Sequence, residues 1–149
     1  ALWDAHFDVH VKAPSILTAA LYDQLPEGAE GLAVNIIDQR IWKLTPKFPS
    51  YTLSKSALWT ATRTMAQAFA PKLRVNAIGP GPTLPSWRQT QEIFDEQLKT
   101  LPLQRGPALE EFGRTIRYLT EAPSVTGQMI CLDGGQHLAW ETDDLKMQE

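Results

Sequence analysis

The chain has 149 residues, 43% of them hydrophobic, and a formal charge of −3 at pH 7, which suits one globular domain with a core of its own. Its 14 Lys and Arg are scattered rather than gathered into a stripe, which argues against nucleic acid as a partner and for a small molecule. A lone cysteine, Cys131, excludes an intrachain disulfide and a Cys-based zinc site and reads as a buried structural thiol, no metal is expected, and no apolar run is long enough to span a bilayer, so the expected location is the cytoplasm.

Ala1 to Leu25 carries Trp3, Phe7, Val11, Ile16 and Leu17 near the helical period, which predicts a helix that Pro14 kinks or locally breaks and Pro26 ends. Leu32 to Asp38 is a short apolar run of the kind found in buried parallel strands. A polar, Pro-punctuated loop follows. Ser50 to Phe69 is the clearest helix, with Ser50 placed to cap it and Pro71 just beyond its end. Leu73 to Pro82 predicts a strand running into a Pro/Gly turn, Trp87 to Leu101 and Leu109 to Thr120 two more helices, and Gln128 to Asp133 a last strand before Gly134-Gly135. Glu141 to Glu149 is polar and acidic, and is expected to be a tail or an assembly contact.

Alternating strands and helices predict an α/β fold, a doubly wound parallel sheet whose ligands bind beyond the carboxyl ends of the strands. Three such ends therefore matter: Asp38, Pro80-Gly81 and Asp133-Gly134. Tyr51 and Lys55 stand four residues apart, hence one turn apart on one helix face. A cation there favours phenolate, so the expectation is a tyrosine with a lowered pKa, fit for proton transfer.

The Tyr51-x-x-x-Lys55 pair follows a strand that ends thirteen residues earlier at Asp38, and RVNAIGPG (Arg74 to Gly81) and VTGQMICLDGG (Val125 to Gly135) come after it. In this order the four features resemble the short-chain dehydrogenase/reductase family over nearly the whole chain. The resemblance implies the C-terminal portion of a Rossmann-type domain, about three strands with flanking helices. The family's glycine-rich pyrophosphate turn has no counterpart here, so the chain is expected to be one part of a single domain and poorly stable alone. It further implies that Tyr51 donates or accepts the proton, that Lys55 tunes it and binds the nicotinamide ribose, and that Pro80, Gly81 and Thr83 contact the cofactor. Asn76 is expected to tie the strand to its neighbours.

Two positions depart from the family pattern. Asp38 replaces the serine thirteen residues before the tyrosine, and His10, in DVHVKAP, replaces an asparagine of the preceding helix. Asp38 is similar to the pteridine reductases within the family, and Asp38 paired with His10, with the ending Asp133-Gly134-Gly135-Gln136-His137-Leu138, is similar to its dihydromonapterin reductases. That likeness implies reduction of a dihydropterin by NADPH, with NADH not excluded, and dihydrofolate as a side substrate. Asp38 and Tyr51 would share proton delivery, while His10 is either part of a proton relay or a packed histidine. Trp42, Leu84 and Trp87 are candidates, with Asp38 and Tyr51, to line a substrate pocket. Trp59 is expected at an oligomer contact or in the core, and His6 at the surface or an interface. The alternatives are a short-chain carbonyl reductase and a catalytically silent nucleotide-binding module; a homo-oligomer is expected in each case.

Overall fold

The computed structural model describes residues 1–140, so the acidic stretch 141–149 lies outside the described residues. The first helical segment is divided where proline demands it. Helix α1 (Leu2–Phe7) runs into a π-helical stretch (Asp8–Lys12) and then into α2 (Ala13–Gln24), with Pro14 in the first turn of α2. Proline has no N–H to give and its ring crowds the carbonyl four residues back. The wider turn relieves that crowding: the Ala13 N–H reaches back to the Asp8 carbonyl, and the hydroxyls of Ser15 and Thr18 donate to the Val11 and Pro14 carbonyls, each at 2.7 Å.

Strand β1 (Gly31–Ile36) stops two residues short of Asp38, although the Ile37 N–H still donates to the Ile78 carbonyl at 2.8 Å. Asp38 instead caps a 3₁₀ turn (Gln39–Ile41), accepting the Arg40 N–H at 2.7 Å. Helix α3 (Pro49–Ala68) starts with Pro49 in its first turn, after Phe48 in the left-handed region. Ser50 is therefore inside the helix and does not cap it; proline's fixed φ sets the helix start.

Strand β2 (Leu73–Pro80) lies between β1 and β3 (Met129–Leu132), all parallel, with Gly31 opposite Leu73 and Ala77 opposite Met129. Its residues are buried almost throughout, because helices cover both of its faces. On one face, Leu73 and Val75 pack with Met65 and Ala66 of α3, and Ala77 with Leu58. The residues between them point the other way, as strand alternation requires. There the Arg74 guanidinium donates to the carbonyls of Ala122 and Val125 just beyond α5 (Leu109–Glu121), where a cation also suits the helix dipole. Asn76, fully buried, donates to the Val125 carbonyl at 2.9 Å and accepts the Gln128 N–H at 3.0 Å, so it ties β2 to the approach to β3.

Helix α4 (Gln91–Lys99) is shorter than its predicted span. Thr90 caps it by accepting the Ile93 N–H, which leaves Trp87 in the loop before it. The fold is thus an α/β Rossmann-like arrangement of three parallel strands with flanking helices. No helix among the described residues is long and apolar enough to cross a membrane.

Candidate active site

Helix α3 carries Tyr51 to the carboxyl end of β1, where its hydroxyl donates to Asp38 Oδ2 at 2.9 Å. The other carboxylate oxygen, Oδ1, accepts the Arg40 N–H. Asp38 is therefore clamped from two sides, and the phenol holds its proton. Burial is the main cause pushing the Tyr51 pKa above its ordinary value, and the charge and hydrogen bond of Asp38 push the same way; only Arg40 opposes them.

That reverses the expected lowering by Lys55. The Lys55 Nζ lies 5.8 Å from the centre of the Tyr51 ring and donates to the Ile36 carbonyl at 2.9 Å. Its own pKa is lowered by burial, with Asp38 acting in the opposite direction. An ammonium has three donors, so Lys55 keeps N–H groups for a ligand at the sheet edge.

Two histidines stand behind Tyr51. The rings of His6 and His10 stack at 5.3 Å, and each meets Tyr51 edge-on, at 5.8 and 5.2 Å. They bond to α3 in matching rungs, His6 Nδ1 with Ser50 Oγ at 2.9 Å and His10 Nδ1 with Ser54 Oγ at 2.8 Å. The Ser54 hydroxyl spends its one proton on the Tyr51 carbonyl at 2.9 Å. His10 Nδ1 must then carry the hydrogen of the second rung, which leaves Nε2 as the unprotonated nitrogen of the neutral ring. Burial, Lys55 and His6 all lower the His10 pKa, in keeping with that neutral form. His10 is thus bonded to the tyrosine helix through Nδ1, and His6, expected at the surface or an interface, reaches the site.

Sequence reasoning missed the significance of both rungs. Their signal was present: His6 and His10 are four residues apart, as are Ser50 and Ser54.

In front of Tyr51 lies a pocket of about 350 Å³ lined by Leu2, His6, Asp38, Arg40, Phe48, Tyr51 and Arg88. Trp42, Leu84 and Trp87 are not in its wall. Trp42 packs edge-on against Trp59 at 6.4 Å and His137 at 5.4 Å, and Trp59 packs against the core beneath α3. Leu84 is exposed, and Trp87 is 88% exposed with the Arg88 guanidinium 4.5 Å from its ring centre. That wall carries Arg40 and Arg88 instead.

Pro80 and Gly81 do lie at the carboxyl end of β2. The need for glycine at position 81, however, comes from within the protein, since a Cβ there would stand 2.7 Å from the Asp133 Cα. Thr83 closes the turn, its hydroxyl donating to the Gly81 carbonyl at 3.1 Å and keeping its lone pairs for a ligand. With Lys55 this turn offers donors and acceptors of the kind a nucleotide's ribose and carboxamide need.

Beside it, Cys131, Asp133 and His137 bring a thiol, a carboxylate and an imidazole within 4.8 Å of one another. Asp133, 3% exposed, is already spent on the N–H groups of Gly135 and His137 and on His137 Nδ1. Burial, followed by the charges of Asp133 and Asp38, pushes the Cys131 thiol up to about 12. The group fastens the last strand's turn.

A family model described as enoyl-(acyl carrier protein) reductase matches residues 1–137. Among curated proteins, the chain is 32% identical over 133 residues to dihydromonapterin reductase of Citrobacter koseri, covering 87% of this chain and 55% of that protein. It is 28% identical over 141 residues to human dehydrogenase/reductase SDR family member 4, covering 90% of this chain and 51% of that protein. Among solved structures, FolM alternative dihydrofolate reductase 1 from Brucella suis in complex with NADP is 68% identical, with a TM-score of 0.95 over 97% of this chain and 58% of that one. Its Brucella canis counterpart, also complexed with NADP, is 67% identical at the same TM-score and coverage. The chain spans about half the length of the curated relatives it matches.

Proposed function

The chain belongs to the short-chain dehydrogenase/reductase family, and on that premise we propose that its site serves the NADPH-dependent reduction of a dihydropterin, of the dihydromonapterin or dihydrobiopterin kind, with dihydrofolate as a further substrate. The observation that carries this reading is the Tyr51 hydroxyl on Asp38 Oδ2 at 2.9 Å. Reducing a dihydropterin adds hydride to the carbon of a C=N bond and a proton to its nitrogen. A carboxylate accepts hydrogen bonds from the N–H groups of such a ring, whereas a serine hydroxyl in its place suits a carbonyl oxygen.

Tyr51 is the proton donor in this reading. Its raised pKa keeps the phenol protonated at neutral pH, and Lys55 and Arg40, each with its cationic group 5.8 Å from the ring centre, steady the phenolate left behind. Asp38 holds the phenol in line and binds the ring. Lys55 and the Gly81–Thr83 turn hold the nicotinamide end of NADPH, which supplies the hydride when bound; the NADP in both Brucella relatives supports that choice. The exposed apolar residues of α1 and α2, among them Trp3, Ile16 and Leu17, favour a homo-oligomer.

Asp38→Ser tests the reading. It should lower kcat/KM for a dihydropterin by roughly a hundredfold, the scale of an acid–base group, and lower it far less for a ketone. Equal losses on both substrates would leave Asp38 a structural role only.

A further inference from the structure

We propose that Arg40 and Arg88 form an anion clamp at the mouth of the Tyr51–Asp38 pocket, selecting substrates whose ring carries a carboxylate or phosphate on its side chain. The inference rests on the dihydropterin reading of the site and goes beyond it to the side chain of the substrate.

The pocket wall carries two arginines and one carboxylate. That carboxylate is already engaged, its Oδ2 by Tyr51 and its Oδ1 by the Arg40 main chain. Neither guanidinium belongs to an ion pair among the described residues. The Arg40 guanidinium is held between two rings, 5.4 Å from the centre of Phe48 and 5.8 Å from that of Tyr51, and its Nε is buried with no hydrogen-bond partner. A buried donor without a partner is costly, and burial against the two rings limits its access to water. Arg88 lines the same pocket from the loop that precedes α4.

A neutral dihydropterin offers no full charge for a second guanidinium, that of Arg88, to pair with. A guanidinium is a planar fork that fits a carboxylate or a phosphate with paired hydrogen bonds. Its position beside Tyr51 fits an anion tethered to the ring being reduced.

The test is equilibrium binding, read by tryptophan quenching in the NADP-bound protein, of dihydromonapterin, its phosphate monoester and dihydrofolate to wild type, Arg40→Gln and Arg88→Gln. Turnover of each is measured in parallel. Wild type should bind at least one anionic ligand roughly tenfold to a hundredfold more tightly than the neutral one, the worth of a hydrogen bond to a charged group, and each substitution should erase most of that preference. In turnover the Arg88→Gln loss should fall on KM; Arg40→Gln also removes a cation beside Tyr51, so it should in addition lower kcat for every substrate. Preference for the phosphate ester alone identifies a phosphate, and preference for dihydrofolate alone a carboxylate. Equal wild-type affinities, or substitutions that weaken all three ligands alike, would overturn the clamp. For Arg40→Gln, a shared loss of kcat with the anion preference unchanged would leave Arg40 to Tyr51 alone and overturn its place in the clamp. Anion-dependent binding without turnover of any dihydropterin would leave the clamp standing and remove the reductase reading; no binding of any of the three would remove both.

Discussion

Tyr51→Phe separates chemistry from structure by magnitude. The substitution removes one hydroxyl, and with it the donor to Asp38 Oδ2, while the ring keeps its edge contacts with His6 and His10. Asp38 retains the Arg40 N–H, and the site is only partly buried, so the lost bond should cost about 1 kcal/mol of stability, a melting shift of roughly 2–4 °C for a chain of this size. Loss of a positioned proton donor, by contrast, slows the chemical step by about 10²–10⁴-fold, on the order of 3–5 kcal/mol of barrier. The two effects differ enough to be told apart by steady-state turnover, NADPH binding and a thermal melt on one preparation. Turnover should fall by at least a hundredfold while NADPH affinity stays within a few-fold. Turnover within tenfold of wild type would refute the role of Tyr51 as donor. A parallel collapse of NADPH affinity would make the hydroxyl a cofactor contact instead.

The raised Tyr51 pKa has a consequence for alkaline stability. Below the ordinary phenol value of 10.0 the group is protonated in folded and unfolded chains alike, and its contribution is intact. As the pH climbs past that value the unfolded chain ionises first, so stability should fall; denaturant melts at about pH 9 and about pH 11 should show a decline that Tyr51→Phe reduces. Gly134→Ala should destabilise by about 2 kcal/mol or more, because Gly134 sits at φ +62 and a Cβ would collide with the Arg105 carbonyl oxygen; a melting temperature within a degree or two of wild type would contradict this. Asn76→Asp turns the donor facing the Val125 carbonyl into an acceptor in a fully buried position. It should cost about 2–4 kcal/mol and be worse than Asn76→Ala, measured by chemical denaturation.

The fold was legible where one local rule decided it. Strand β2 reads as apolar because helices bury both its faces, and Pro14 announces the disturbed turn between α1 and α2. Boundaries failed where two rules competed. Ser50 satisfies the capping preference, yet Pro49 fixes the φ that begins α3, and Ser50 is drawn to His6 instead. In the site, Tyr51, Lys55 and Asp38 were visible through spacing and family resemblance. The direction of the tyrosine's pKa was not, because spacing shows the lysine one turn away but neither the burial nor the Asp38 contact that outweigh it. Nor could sequence foresee that Arg40 and Arg88 would line the pocket while Trp42 turned to Trp59 and His137. That choice depends on how the 3₁₀ turn after Asp38 sits against the turn after Gly135, a tertiary contact with no local signature.

The most direct test of the account is NADPH consumption by the wild-type protein with dihydromonapterin, dihydrobiopterin and dihydrofolate, set beside a panel of ketones and a control without substrate. The account predicts turnover on the dihydropterins and little on the ketones. Turnover confined to the ketones, or NADPH bound with no substrate consumed, would contradict it.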